Sequence, residues 1–144
     1  MKILGIESSC DDTSVAIVNS NKKILSNERI SQNNIHQAYK GVVPELAARN
    51  HVFYIDKITK KALKNADLRL NNIDAVASTA GPGLIGGLLV GLSFAKTLAQ
   101  VNKLPFVAVN HLEGHVLTAR LISEIHFPYL VLLISGGHSN FYFL

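Results

Sequence analysis

Tryptophan is absent, cysteine and methionine occur once each, and charged residues fill only 17% of the 144 positions. The lone cysteine, Cys10, excludes an internal disulfide, so the fold must rest on its core; this suits a reducing, cytoplasmic setting. Scarce charge beside 48% hydrophobic residues excludes a disordered chain. A long apolar N-terminus is also missing: the run Met1 to Ile6 is too short for a signal peptide, and Glu7 cuts it. The single long apolar stretch, Gly83 to Val101, contains Lys96 and Gln100 and lies between Pro82 and Pro105. It reads as a helix buried against a sheet rather than a membrane span. The net charge of +4 is compatible with a nucleic-acid partner without requiring one.

Short apolar runs predict strands at Lys2 to Ile6, Ser14 to Val18 and Lys23 to Ile30, joined by the polar loop Glu7 to Thr13 and a turn at Asn19 to Asn21. Pro44 can open a helix whose apolar stripe is Leu46, Ala48, Val52, Ile55, Ile58, Ala62 and Ala66. A strand at Ile73 to Thr79, the turn Gly81-Pro82-Gly83, a helix over Ile85 to Val101 and a strand at Phe106 to Val109 follow. Asn110 caps a last helix running to about Ser123. Strands alternating with helices predict an α/β fold with a mixed sheet under helical cover. Tyr129 to Ile134, a small polar loop and Asn140 to Leu144 then repeat the opening β-loop-β plan. The repeat predicts a two-lobed, duplicated molecule, with residues 1–126 as the first lobe and 127–144 as the opening hairpin of a second lobe that is largely missing.

The chemistry concentrates where apolar strands give way to polar residues. His111 and His115 stand at i and i+4, on one face of the helix capped by Asn110. Near a helix N-terminus the dipole favours neutral imidazole, the form that ligates metals. A pair of histidines at the end of a buried strand points to a divalent metal ion whose coordination must be completed from elsewhere. Glu113 does not turn the pair into a zincin site. That motif places its base directly after the first histidine, whereas Glu113 lies roughly 200° around the helix from His111. Asn110 to Glu113 instead resembles a capping box. The loops ESSCDDT at 7–13 and SGGHS at 135–139 occupy equivalent places in the two β-loop-β units, as paired phosphate-holding loops would. Cys10 has no dedicated base beside it and reads as a buried structural thiol. Lys57, Lys60, Lys61 and Lys64 read as the solvated face of the first long helix, with a docking surface for RNA or a partner subunit as the alternative.

Five segments occur in order: GIESSCDDT at 5–13, GVVPELAARNH at 41–51, TAGPGLIGGLLVG at 79–91, NHLEGH at 110–115 and LLISGGHS at 132–139. Together they resemble the bacterial tRNA N6-adenosine threonylcarbamoyltransferase (TsaD) family, formerly termed O-sialoglycoprotein endopeptidase. The resemblance implies an actin/Hsp70-like (ASKHA, RNase H-like) lobe. It implies transfer of threonylcarbamoyl from threonylcarbamoyl-AMP to N6 of adenosine 37 in tRNAs reading ANN codons. It further implies that His111 and His115 bind iron or zinc, with Fe(2+) favoured, together with an aspartate beyond this chain. Leu133, Ile134, Ser135, Gly136 and Gly137 would contact the substrate, and Glu7, Asp11 and Asp12 would border the active site as catalytic candidates. The implied partners are tRNA, an ATP-like nucleotide and TsaB-like and TsaE-like subunits, with no membrane. The fragment alone is expected to bind metal and nucleotide poorly and to have no transferase activity. The alternatives are a metal-dependent glycoprotease, an actin-like ATPase and a non-catalytic scaffold relative.

Overall fold

The computed structural model describes residues 1–134 and 139–144. Its centre is a five-stranded sheet built from β1 (Lys2–Glu7), β2 (Asp12–Asn19), β3 (Ile24–Ser31), β4 (Ala75–Gly81) and β5 (Phe106–Asn110), in the order β3-β2-β1-β4-β5. The first three strands are antiparallel neighbours, while β4 runs parallel to β1 and β5 parallel to β4. The sheet is therefore mixed. Every predicted strand of the first lobe is present, offset by one or two residues. The largest offset is at β4, because Leu70–Asn72 forms a 3₁₀ turn that leaves Ile73 buried before the strand begins.

One helical layer covers one face. A short α1 (Asn33–His36) precedes α2 (Pro44–Asn65), and α3 (Ile85–Val101) has the predicted bounds. Leu4, Ile6, Val15, Ile17 and Val76 point from the strands into a core shared with Ile55, Ile58, Ala62, Ala95 and Ala99. The buried stripe of α2 is Ala47, His51, Ile55, Ile58, Thr59 and Ala62, which corrects the predicted one. Val52 turns outward and is 63% exposed. The true stripe takes in a histidine and a threonine, polar residues that satisfy their groups inside the protein. The helix over Gly83 to Val101 packs as expected, and among the described residues no helix is long and apolar enough to cross a membrane.

The opposite face carries α4 (His111–Leu117), followed by α5 (Ala119–Ile122). The predicted single helix is interrupted at Thr118, whose hydroxyl bonds back to the Gly114 carbonyl at 2.7 Å while its amide reaches only as far as His115. Strands β6 (Leu130–Ile134) and β7 (Ser139–Phe143) pair with each other in a separate two-stranded sheet.

Candidate functional site

Because β1, β4 and β5 run parallel, their C-terminal ends lie side by side, and ligand sites of open α/β sheets form at such ends. Glu7 closes β1, Thr79 lies near the end of β4, and Asn110 closes β5. The register sets Ile6 against Ser78 and Thr79 against Val109, which brings Glu7 and Thr79 side by side and puts His111, the first residue after β5, next to them. The Asn110 side chain accepts from the amides of Leu112 at 2.9 Å and Glu113 at 3.2 Å, starting α4 at His111. Among the described residues no bond returns from the Glu113 carboxylate, so only the asparagine half of the expected capping box is made.

The two histidines converge. Nε2 of His115 lies 3.2 Å from Nε2 of His111, with the rings nearly perpendicular. A metal bound at ordinary metal–nitrogen distances spans its ligands by about 2.9 Å at a right angle and about 3.3 Å at the tetrahedral angle. The observed separation fits that bite. Behind His111, Nδ1 lies 3.3 Å from Glu7 Oε2 and 3.1 Å from the Ser9 hydroxyl. Burial by itself would raise the Glu7 carboxyl. The Ser9 and Thr79 hydroxyls and the Ser9 amide donate to it, His111 adds charge attraction, and together they hold it below its ordinary value. Glu7 is therefore an ionised, acceptor-only group. It assigns the His111 proton to Nδ1 and leaves Nε2 with a lone pair facing His115. A carboxylate behind a histidine is the usual support of a metal-ligating imidazole. Among the described residues no group of three or more His, Cys, Asp or Glu side chains is placed to hold a metal.

Two cavities meet at the histidine pair. One, of about 320 Å³, lies between α4 and the sheet and is floored by Gly5, Ala16 and Ala77 with Glu7 and Thr79 at its end. The other, of about 330 Å³, is lined by Ser9, Cys10, Pro82, Gly83, Leu84, Leu112, Leu133 and Ile134. Glu113 is exposed and lines neither.

The remaining sequence candidates scatter. Asp12 is held by Arg29 at 3.3 Å on the far side of the loop. Asp11 lines a polar pocket with His36 and Lys40. Of the three loop carboxylates, only Glu7 reaches the histidines. Leu133 and Ile134 border the second cavity, whereas Ser135, Gly136 and Gly137 lie outside the described residues. Cys10 is exposed, which corrects the expected burial. Partial desolvation and the neighbouring Asp11 nevertheless push its thiol up to about 11, so it is a poor nucleophile. The lysine face is partly occupied: Lys60 pairs with Asp56, Lys61 with Glu28, and Lys57 sits over the Phe53 ring.

Sequence reasoning missed Ser9 and Thr79, which hold Glu7 and His111, and His51. The signal for His51 was a histidine at helical spacing from Ile55 and Ile58. Gly83 does more than complete the expected turn. Its φ of +159° and a hypothetical Cβ 2.7 Å from Ser9 make it the residue that lets the α3 entry approach the first loop.

The model of the tRNA N6-adenosine threonylcarbamoyltransferase family, TsaD, matches residues 23–144. The chain belongs to this family. A family member from Rickettsia canadensis, bearing that enzyme name, is 59% identical over 140 residues, covering 97% of this chain and 41% of the relative. The chain thus spans about two-fifths of the length of the TsaD relatives it matches. Among solved structures, a Pseudomonas aeruginosa protein described as similar to peptidase YeaZ superposes with a TM-score of 0.63 at 18% identity, over 98% of this chain and 63% of its own. The Aquifex aeolicus PPX-GPPA enzyme does so with 0.53 at 12%, over 99% and 48%. At these identities the likeness concerns the fold, which is actin/RNase H-like.

Proposed function

We propose that this chain supplies the metal-binding half of a TsaD active site, for transfer of threonylcarbamoyl from threonylcarbamoyl-AMP to N6 of adenosine 37 in tRNAs reading ANN codons. The observation that carries the reading is the 3.2 Å approach of the two Nε2 atoms, with Glu7 behind one of them, at the mouth of two cavities. His111 and His115 would hold the metal, iron or zinc, with a carboxylate from the remainder of the protein. When bound, the ion supplies Lewis-acid polarisation of a carbonyl and a template for the acyl group. Glu7 and Ser9 keep the His111 lone pair aimed at that position. Leu133 and Ile134 wall the cavity in which the acyl donor would lie, and Ser135, Gly136 and Gly137, outside the described residues, are assigned to the substrate by the family resemblance alone. Asp11 and Asp12 are assigned to the border of the site, at a distance from the histidines.

In this reading residues 1–126 form one lobe and 127–144 the first hairpin of the next. Leu130, Leu132, Ile134, Phe141 and Phe143 of that hairpin are exposed, an apolar face suited to packing against further structure. An apolar groove of about 550 Å³ between α2 and α3, lined by Val52, Leu89, Val90 and Phe94, offers a surface for a TsaB-like subunit. A TsaE-like subunit, tRNA and the nucleotide complete the proposed assembly, in the cytoplasm. The peptidase reading lacks a base, because Glu113 faces away from the pair.

The test is metal analysis of the full-length family protein carrying this segment, with and without His111→Ala, beside an assay for modified adenosine in tRNA. The reading requires the substitution to abolish metal retention and modification together. Full modification by the alanine variant would refute it. The 144-residue chain assayed alone is expected to form no modified tRNA, because two imidazoles leave the coordination incomplete.

A further inference from the structure

Behind the histidine pair, in the layer between β2 and α2, lies a polar cluster that the proposed chemistry does not use. His51, Gln32 and Thr13 are fully buried and His36 nearly so. Burying this many polar atoms is tolerable only if each finds a partner. Here they do, in one direction. The Val43 amide donates to His36 Nδ1 at 3.3 Å, which places the His36 proton on Nε2, 3.3 Å from Gln32 Oε1. The Gln32 amide nitrogen donates in turn to the Ala47 carbonyl at 3.3 Å and to His51 Nδ1 at 3.4 Å. The Thr13 hydroxyl reaches the same Nδ1 at 2.8 Å. His51 Nδ1 is therefore an acceptor and its proton sits on Nε2, which donates to the Cys10 carbonyl at 3.1 Å. This is the assignment in which every donor of the cluster meets an acceptor.

The chain of donors ends on the backbone of the loop that carries Ser9. That loop has other anchors: the Ser9 amide donates to Glu7 at 2.5 Å, the Leu84 amide to the Ser9 carbonyl at 2.7 Å, and the Ser8 hydroxyl to the Gly87 carbonyl at 2.9 Å. These come from β1 and α3. His51 ties the next residue to α2, immediately after the serine whose hydroxyl stands 3.1 Å from His111 Nδ1.

We propose that His51 is a positioning residue for His111. Through the Cys10 carbonyl it fixes the Ser9 hydroxyl, which with Glu7 holds the His111 proton on Nδ1 and leaves Nε2 free to ligate. The inference deepens the metal-site reading and rests on it for its consequence, but the His111 tautomer can be read without any metal. If the cluster only satisfied buried groups, changing it would lower stability and leave the His111 ring alone.

The test uses the metal-free chain with ¹⁵N-labelled histidine rings, at about pH 8, where free imidazole is neutral. Ring nitrogen shifts report the tautomer, and zinc is titrated in parallel into the full-length family protein carrying the same substitutions. Wild type is expected to show His111 protonated on Nδ1. In His51→Leu the two tautomers mix and zinc affinity falls about tenfold, the scale of a lost supporting contact. His51→Gln, whose amide nitrogen can reach the Cys10 carbonyl, restores both to within about twofold. A folded His51→Leu with the His111 tautomer and zinc affinity of wild type would overturn the proposal. If His51→Leu does not fold, His51→Asn decides: it keeps a polar group for Thr13 and Gln32, while its shorter side chain cannot reach the Cys10 carbonyl. An unchanged His111 tautomer in that variant overturns the proposal equally. If the full-length wild type binds no zinc while the tautomer responds as expected, the metal reading fails and the positioning role stands.

Discussion

Glu7→Gln tests the site at its most exacting point, because it removes a charge and almost no volume. The Ser9 amide, 2.5 Å from Oε1, requires an oxygen there, so the new amide nitrogen must take the place of Oε2. That position faces the Thr79 hydroxyl, which can turn to accept, and His111 Nδ1 at 3.3 Å, which can accept only by losing its proton. The proton then moves to Nε2, the atom directed at His115, and the lone pair needed for ligation is gone. Loss of such a supporting partner costs about 10–100-fold in metal affinity, about 1.4–2.7 kcal/mol. The assay is zinc titration of the full-length family protein carrying this segment against a chromophoric chelator, with circular dichroism to confirm an unchanged fold and His111→Ala as the reference for a lost ligand. Binding by Glu7→Gln within twofold of wild type would refute the reasoning, since the carboxylate would then have no part in setting the His111 tautomer.

Two other perturbations follow from particular contacts. In Gly87→Ala the new methyl would overlap the Ser8 carbonyl oxygen and press on the His51 ring, and overpacking of about 1–3 kcal/mol should exceed the ~1 kcal/mol gained in helix propensity. A lower thermal midpoint with weakened zinc binding is expected, and a stabilised variant would show that α3 does not pack on the first loop as described. Cys10, exposed yet with its thiol raised from 9.0 to about 11, should react with iodoacetamide at pH 8 about a hundredfold more slowly in the native chain than in denaturant. Between those two values the unfolded chain releases the proton and the native chain keeps it. Stability should therefore decline as pH rises through that window, and a Cys10→Ser variant should lose the decline.

Local pattern carried the reading of the elements a long way. The bounds of α3 were legible because an apolar run lay between turn residues, and the start of α4 because Asn110 is a capping residue whose effect is confined to the next three amides. The pairing of His111 with His115 was equally local, since i and i+4 share a helical face whatever surrounds them. The α2 stripe was misread because hydropathy passes over His51, whose buried ring is satisfied by groups as remote in sequence as Thr13 and the Cys10 carbonyl.

What the sequence determined by itself was therefore whatever depends on neighbours within about one turn of chain: the strands, the helices, the histidine spacing and the motifs that mark the family. The tertiary structure alone decided which of Glu7, Asp11 and Asp12 stands behind His111, that Ser9 and Thr79 join it, and that Cys10 faces outward. Those relations are fixed by the parallel register of β1, β4 and β5, which brings residues 104 positions apart within hydrogen-bonding distance. Register follows from the side on which each strand buries its apolar residues, but which strands become neighbours, and so which residues their ends bring together, is decided by packing of the whole sheet against its helices.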